Sequence, residues 1–439
     1  MKISLKNLIA GTLAILSWTL FIFWTEAWWF LLVNLLIADL FFTRFIYRLF
    51  NLIFKAPALR KAIDWLLMLV AAILITAAIK ILAFEAYIIP SPSMEETLLT
   101  GDYIFVSKLA YGPRLPNTPL SLPFLHNQFP SGKKSYSEDL LMPYKRLKGH
   151  SSVGRNDVLV FNFPEGDTMF TDYPRQNYYS YVRQYGREYI LSQFRISTHP
   201  VDRRENYIKR CIALPGDSVR IIEGTVYVNH DEVPDLPSQK HKYYITTNGE
   251  PLPENYLDSL KIPKTEVFYN PVNSLHVINL SNAQAEKITG GPGVRSIKRF
   301  VEPLLSFQNM DIFPHVEWYH WTADNYGPVW VPGKDLTVKL DLDNLPVYRR
   351  AIEVYEHNTV EVIANRIYIN GEETRRYTFK MDYYFVMGDN RHNSADSRYW
   401  GFVPEDHLLG KAVLIWYSSD PEQPIFGGIR KERIFKLIK

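Results

Sequence analysis

The chain has 439 residues, of which 47% are hydrophobic and 14% aromatic, enough for two or three domains with packed cores. Its net charge of +3 is too small to indicate a nucleic-acid-binding protein. Its single cysteine, Cys211, excludes an internal disulfide but not a location outside the cytoplasm.

Three apolar runs lie within residues 1–84, which we predict to be a membrane anchor with about three transmembrane helices. The runs are Leu8–Trp24, Ala27–Phe42 and Trp65–Phe84, and the third has the length of one crossing. Thr25-Glu26 separates the first two runs. A re-entrant hairpin is the alternative to two full spans there.

Basic residues without acidic neighbours separate the second and third runs, and such loops stay in the cytoplasm. They are Arg44, Arg48, Lys55, Arg60 and Lys61. Everything after about Glu85 is therefore expected outside. The predicted location is the cytoplasmic (inner) membrane, multi-pass, with the catalytic part on the outer (periplasmic) face. A cleaved signal peptide is a poorer interpretation, because the third run lies too deep in the chain and no Ala-x-Ala follows it.

After residue 90 the pattern predicts a mainly β catalytic domain, because short runs rich in Val, Ile, Tyr and Phe alternate with turn residues. Six strands are expected, at Asp157–Phe163, Tyr207–Leu214, Ser218–Ile222, Arg366–Asn370, Tyr383–Met387 and Lys411–Tyr417. Gly224–Asn229 and Asn365–Gly371 share a hairpin pattern that we do not interpret as a repeat.

Two polar segments rich in Pro and Tyr interrupt this β pattern. We call residues 165–206 the first insertion and residues 223–357 the second insertion. The predicted organisation is then an anchor at 1–84, a first part of the core at 85–222, an insertion or cap domain at 223–357, and a second part of the core at 358–439.

Three clusters carry side chains suited to chemistry: Ile89–Leu98 (IPSPSMEETL), Tyr207–Asp217 (YIKRCIALPGD) and Gly388–Gly401 (GDNRHNSADSRYWG). Each alone has an ordinary structural explanation, namely a turn, a solvent-facing basic pair and a loop held by an Asp–Arg pair. Residue types alone therefore give only candidates: serines on a constrained turn, a lysine in an apolar strand, and an Asp/Arg-rich loop.

In this order, behind a membrane anchor, the clusters resemble the signature boxes of the bacterial type I signal peptidases (leader peptidases), a Ser/Lys-dyad family. Arg155–Phe161 is similar to an intermediate box of that family. The resemblance covers about residues 85–163, 207–222 and 365–418. It implies a signal-peptidase-like β fold with an N-terminal α-helical transmembrane anchor.

The resemblance also implies roles for individual residues. Ser93 matches the nucleophile and Lys209 the general base. Ser91 matches a side-chain donor that joins the Ser93 backbone N–H in an oxyanion hole, and Ser394 matches a serine that orients the lysine. A supporting ion pair is expected from Asp396 and Arg398.

Substrate pockets are implied at six residues that flank the nucleophile or the base, with a place in the core as the alternative: Tyr87, Ile89, Met94, Leu98, Tyr207 and Ile208. The implied function is that of a membrane-bound serine endopeptidase removing signal peptides from preproteins after small residues, in an Ala-x-Ala-like pattern. No cofactor or metal is implied. The expected partners are preprotein signal peptides and membrane lipid, with the secretion machinery as a further candidate, and no nucleic acid.

The alternative function is that of an inactive or narrow-specificity membrane-tethered relative that binds or processes particular exported proteins. The chain also departs from the family pattern: Pro92 stands where Gly is familiar, and Glu95-Glu96 stands where a proline is often found. We expect both Glu95 and Glu96 to face solvent. We also expect His392 to be solvated rather than part of a triad, and the apolar loop Leu115–Phe129 either to dip into the bilayer or to be buried under an insertion.

Overall fold

The computed structural model describes residues 4–439, except 27, 54–56, 123–124, 126, 128, 130–132, 174–175, 264–265, 305–310 and 424–427. The α-helices in these ranges are α1 Leu5–Thr25, α2 Leu32–Ala38, α3 Phe45–Ile53, α4 Pro57–Leu82, α5 Tyr178–Tyr185, α6 Arg187–Gln193, α7 Glu254–Ser259, α8 Asn282–Thr289, α9 Leu345–Arg350 and α10 Ser397–Trp400.

Most of the regular structure after the fourth helix is β. The strands are β1 Phe84–Ile88, β2 Asp102–Ser107, β3 Val158–Asn162, β4 Thr168–Phe170, β5 Ile196–Thr198, β6 Asn206–Ala213, β7 Ser218–Ile222, β8 Thr225–Val228, β9 Asp231–Glu232, β10 Lys240–Thr247, β11 Val267–Asn270, β12 Leu275–Ser281, β13 Val294–Arg299, β14 Tyr326–Trp330, β15 Thr337–Lys339, β16 Val360–Ile363, β17 Arg366–Ile369, β18 Glu372–Glu373, β19 Arg376–Thr378, β20 Tyr383–Met387, β21 Val403–Pro404, β22 Leu408–Ser418 and β23 Lys436–Leu437.

The chain divides into two compact units, the first formed by residues 1–85 and 107–152 and the second by residues 86–106 and 153–439. In the first unit, the segments Leu5–Trp24 and Lys61–Leu82 are long and apolar enough to cross a membrane. The second apolar run forms a shorter helical stretch, Leu32–Thr43, below the roughly 20 residues that a crossing needs. The number of crossings stays a prediction.

The helices α1 and α2 pack against each other. The Asn34 side-chain amide donates a hydrogen bond to Thr19 Oγ1 at 3.0 Å. The segment Asp39–Thr43 that follows α2 also lies close to α1, because a Cβ at Gly11 would meet the ring of Phe42 at 2.6 Å. In the loop predicted to dip into the bilayer, Leu120 and Leu122 are exposed. Phe124 lies outside the described residues.

The second unit is built on an eight-stranded sheet in the order β1-β2-β22-β3-β6-β20-β21, with β23 paired to β22. Its inner face is apolar and packs into two core clusters. Burial of this apolar face supplies the main driving force for the fold. All six strands predicted from the sequence are present, and the predicted mainly β domain with helical N-terminal segments is confirmed.

The two segments with a shared hairpin pattern form matching three-stranded meanders, β7-β8-β9 and β16-β17-β18. Both first turns have two residues with positive φ, Glu223-Gly224 and Ala364-Asn365, as a type I′ hairpin turn requires. The predicted boundary at residue 222 therefore falls inside the β7–β8 hairpin. Further along, the second insertion adds a four-stranded sheet, β11-β12-β10-β13, which packs with α7 and α8 around its own apolar cluster.

Candidate active site

A tight turn after β1 carries Ser93. Ser91 is extended (φ −139°, ψ 155°), and Pro92 then opens a short 3₁₀ helix, Pro92–Met94. Proline suits this first position because its φ is already fixed near the helical value and no partner is needed for an N–H. The turn is therefore stiff, and the Ser93 side chain is buried at its centre.

Lys209 reaches the same point from the middle of the sheet. Its strand, β6, lies between β3 and β20, so the lysine comes from a rigid element. Its Nζ lies 2.6 Å from Ser93 Oγ, within hydrogen-bonding distance, and the residue is only 3% exposed. The structure thus brings together the two residues predicted as base and nucleophile.

Burial lowers the pKa of Lys209 to about 8, although the charges of Asp396 and Asp389 oppose this change and Arg398 reinforces it. Desolvation disfavours the ammonium form of a lysine. In the described ranges, no ion pair offsets that effect at Lys209. The electrostatics therefore favour a lysine that can be neutral close to physiological pH.

The two further serines lie close to this pair. The hydroxyl oxygens of Ser91 and Ser93 are 3.5 Å apart, and Ser91 is exposed. Ser394 Oγ is buried and has no hydrogen-bond partner in the described structure. Its predicted bond to Lys209 is therefore not formed here, and its orienting role stays a prediction. It packs on Gly388, where a Cβ would lie 2.2 Å from Ser394 Oγ.

Asp396 and Arg398 form the expected ion pair, with Arg398 Nε and Nη2 donating to the two carboxylate oxygens at 2.9 and 2.8 Å. The Gly388 amide donates to the same carboxylate at 3.0 Å. Burial alone would raise the pKa of Asp396, but Arg398 outweighs it and holds that pKa below its usual value. The pair fixes both ends of the loop around Ser394.

A second buried ion pair was not predicted. Arg210 Nε and Nη2 donate to Asp389 at 2.8 and 2.7 Å, and each side chain is 1% exposed. Thr97 Oγ1 lies 2.6 Å from Asp389 Oδ2. In the sequence, Arg210 directly follows Lys209 and Asp389 directly follows Gly388. The alternation of side chains along a strand does not, however, identify Asp389 as the partner of Arg210.

Asn390 holds the turn that carries Ser93. Its backbone amide donates to the Ser93 carbonyl at 3.1 Å, and its side-chain amide donates to the Pro92 carbonyl at 3.2 Å. The third cluster thus fixes the first one through two direct hydrogen bonds. This positioning residue was also missed, although it lies inside the matched box.

The second insertion contributes Lys240 to this framework. Lys240 pairs with Glu95 Oε2 at 3.2 Å and Glu266 Oε2 at 2.7 Å, so the expectation that Glu95 faces solvent is wrong. The Lys240 amide also donates to the Asp389 carbonyl, and the Arg391 amide donates to the Lys240 carbonyl, both at 2.9 Å.

The positive charge of Lys240 explains why the Glu95 side chain is largely buried. Burial disfavours the Lys240 ammonium, but the two carboxylates outweigh it and raise the pKa of Lys240. Burial and the neighbouring Glu266 raise the pKa of Glu95. One ammonium group thus stabilises two carboxyl groups that share a partly desolvated site.

The side chain of His392 is only 5% exposed, so the expectation that it is solvated is wrong. Its Nε2 lies 2.8 Å from Asp324 Oδ2, and its Nδ1 accepts a hydrogen bond from the Lys242 amide at 3.2 Å. Both ring nitrogens are thus engaged by the second insertion. Nothing in these contacts links His392 to Ser93.

The six predicted pocket residues divide between the core and this site. Five of them are part of one apolar cluster or packed against it: Tyr87, Ile89, Met94, Leu98 and Ile208. The sixth, Tyr207, has its ring centre 5.9 Å from Lys209 Nζ.

Cys211 is fully buried, and burial raises the pKa of its thiol. No metal-binding group of three or more His, Cys, Asp or Glu residues occurs in the part of the chain that the structure describes.

Comparisons with known proteins point to one family. A family model described as signal peptidase, peptidase S26, matches residues 62–277 and 339–417. A Signal peptidase I from Buchnera aphidicola is 27% identical over 360 residues, covering 80% of this chain and 74% of that protein. Another from Haemophilus influenzae is 23% identical over 386 residues, covering 88% and 78%. One from Aquifex aeolicus is 68% identical over 37 residues, which are 8% of this chain and 14% of that protein.

Proposed function

The chain belongs to the signal peptidase family, peptidase S26, and is a serine endopeptidase, and on that premise we propose that it removes signal peptides from preproteins through a Ser93–Lys209 dyad. The observation that carries this proposal is the distance of 2.6 Å between Ser93 Oγ and a buried Lys209 Nζ. A serine hydroxyl needs a base to become a useful nucleophile, and a desolvated lysine can be that base.

In the proposed reaction, Ser93 Oγ attacks the carbonyl carbon of the scissile bond while its proton passes to Lys209 Nζ. The C–N bond then breaks, Lys209 returns the proton to the departing amine, and the signal peptide remains as an ester on Ser93. A water molecule attacks this ester with Lys209 again as the base. The peptide leaves with a carboxylate, and Ser93 regains its proton.

The Ser91 hydroxyl and the Ser93 amide would stabilise the anionic intermediate. Removing one such donor typically slows an enzyme by about 100- to 1000-fold. Ser394 would orient the lysine, as the carboxylate does for the histidine in other serine proteases. Asp396 and Arg398 would keep that loop in place.

The test of the dyad is cleavage of a preprotein by the purified chain in detergent. Ser93→Ala and Lys209→Ala should each abolish cleavage, while Lys411→Ala, a change at a half-exposed lysine paired with Asp157, should leave it intact. Near-normal cleavage by either dyad variant would reject the mechanism.

The cleavage specificity follows from the six residues expected to form the walls of the substrate pockets. Shallow apolar pockets would accept small side chains, so the chain should cut after alanine in an Ala-x-Ala-like sequence. Preproteins that differ only in the residue before the cut provide the measurement. Equal cleavage of those with Ala, Trp and Lys there would show that another kind of protease activity is present.

We also propose that the second unit lies on the outer face of the cytoplasmic membrane, close to lipid and within reach of the secretion machinery. The basic loop between the second and third apolar runs supports this orientation. Added protease should degrade residues after the anchor in spheroplasts as well as in lysed cells. Protection in intact spheroplasts would reverse the orientation.

A further inference from the structure

Two antiparallel arms of the first unit, residues 113–122 and 133–148, form an extended element that we call the ribbon. The arms are bridged at Arg114 and Arg146 near one end and at Ser121 and Tyr136 near the other. Further backbone hydrogen bonds join the arms between these two bridges. The backbone of the ribbon is therefore paired along its described length.

The base of the ribbon packs against two helices that are long and apolar enough to cross a membrane. Leu147 is buried in an apolar cluster with Leu82 at the end of α4, and Trp18 of α1 packs against the same cluster. An ion pair between Lys148 Nζ and Glu26 at 3.2 Å joins the ribbon to the residue that caps α1. The end of a membrane span lies at the boundary between hydrocarbon and water. In a bilayer, the base of the ribbon therefore lies at that boundary.

The exposed surface of the ribbon is apolar on both arms. Five large side chains are 45% to 54% exposed: Leu120, Leu122, Leu140, Leu141 and Met142. Their polar neighbours Thr118 and Ser135 are instead buried, at 0% and 4% exposure. A surface in contact with water usually shows the reverse arrangement. Large exposed apolar patches mark contacts with other proteins or with membranes, so this pattern indicates that something apolar covers the ribbon.

The charges of the ribbon suit a lipid surface. Residues 113–148 contain six lysines and arginines but only two acidic residues, Glu138 and Asp139. Three of the lysines, Lys133, Lys145 and Lys148, are exposed. Basic groups next to an apolar surface are attracted to anionic lipid headgroups, while the alkyl part of a lysine side chain can extend along the apolar layer.

We propose that the ribbon lies in the interfacial layer of the bilayer, with its five exposed apolar side chains in contact with lipid acyl chains. The partner is lipid because the base of the ribbon packs against helices that would themselves lie in lipid, and because the ribbon is basic. The ribbon thus gives the first unit an attachment to the membrane in addition to its helices. The inference rests on the proposed membrane location but not on the Ser93–Lys209 dyad.

The test uses the full chain in lipid nanodiscs that hold one copy each, so that a second copy cannot cover the ribbon. Cys211 is the single cysteine of the chain and is buried, so a fluorescent thiol label can be directed to Leu122→Cys or Leu141→Cys. Glu138→Cys is the matched control, because it replaces an exposed charged residue of the same ribbon. All three positions are exposed, so these substitutions should leave the fold intact.

Lipids with brominated acyl chains should remove more than half of the fluorescence at residues 122 and 141 and much less at residue 138, because bromine quenches only at close range. Iodide in the buffer should give the opposite order. Absence of bromine quenching at the two leucine positions would overturn the inference, and so would equal bromine quenching at all three positions. A chain that does not enter nanodiscs would contradict the proposed membrane location and this inference with it.

Discussion

The backbone amide of Asn390 donates a hydrogen bond to the carbonyl oxygen of Ser93 at 3.1 Å. The side-chain amide of the same residue holds the Pro92 carbonyl. If Ser93 is the nucleophile that we propose, its hydroxyl must be kept within a fraction of an ångström of its attacking position. Asn390 therefore positions the serine without touching the reacting atoms.

Asn390→Ala removes the side-chain hydrogen bond but leaves the backbone bond, so the turn should loosen without collapsing. We expect kcat to fall by about tenfold, since a misplaced reacting group costs up to about a hundredfold, with little change in KM. Steady-state kinetics on a preprotein peptide measure both constants. An unchanged kcat would show that the backbone bond suffices.

The pH dependence of kcat/KM should show an acid limb near pH 8, because burial lowers the pKa of Lys209 to about 8 and only the neutral amine acts as a base. Below that value the rate should fall about tenfold per pH unit, as the neutral fraction does. His392→Gln should leave the limb in place, since His392 contacts Asp324 and Lys242 instead of the dyad. A limb that disappears with His392 would contradict the lysine mechanism.

Lys209 and Lys240, both buried, should respond to substitution with opposite signs. Lys209 has a lowered pKa, so its protonation opposes folding. Lys209→Met should raise the free energy of unfolding at pH 7 by up to about 3 kcal/mol, from about 1.4 kcal/mol per pKa unit. The free-energy cost of burying Lys209 is complete below pH 8 and disappears as pH rises toward 10.5. The stability gained by Lys209→Met should therefore vanish at that higher pH.

Lys240→Met is the substitution to compare with Lys209→Met. It leaves Glu95 and Glu266 side by side without their shared cation, so it should lower the free energy of unfolding and reduce cleavage by displacing the Ser93 turn. Thermal unfolding of both variants in detergent at pH 7 and pH 10 supplies the comparison. The same sign for both variants at pH 7 would refute this electrostatic assignment.

Breaking the Arg210–Asp389 pair should be more harmful than removing it. Asp389→Leu leaves a fully buried guanidinium without its carboxylate, and such losses cost about 3–5 kcal/mol. The double variant with Arg210→Met should recover much of that stability, because an apolar pair avoids the desolvation of both charges. A double variant no more stable than the single one would contradict this explanation.

The sequence predicts best where one local rule decides the outcome. Tyr383–Met387 is apolar throughout and bounded by turn residues, so its strand is predictable, and it is fully buried in the sheet. The resemblance of two boxes to a known family points to Ser93 and Lys209, whose side chains lie 2.6 Å apart, and their roles stay a prediction. In contrast, the alternation of β6 places Arg210 on the face opposite Lys209 but cannot name Asp389 as its partner.

Contacts between distant segments explain the other misses. Glu95 looks like a surface residue because the local pattern is polar, and its burial depends on Lys240 from a segment with no readable motif. His392 was expected in solvent for the same reason, although Asp324 and the Lys242 amide enclose it. Pairings of this kind depend on how the second insertion folds, which periodicity does not encode.

The backbone bridge at Lys240 limits how this protein can be shortened. Because the Lys240 amide and carbonyl pair with the loop at Asp389 and Arg391, a version engineered without residues 223–357 would lose one strand-like partner of the loop that carries Asn390. Inhibitor screening or crystallisation of such a shortened protein would be carried out on a Ser93 turn that is held less tightly than in the full chain. The shortest faithful version of the catalytic unit therefore retains the second insertion.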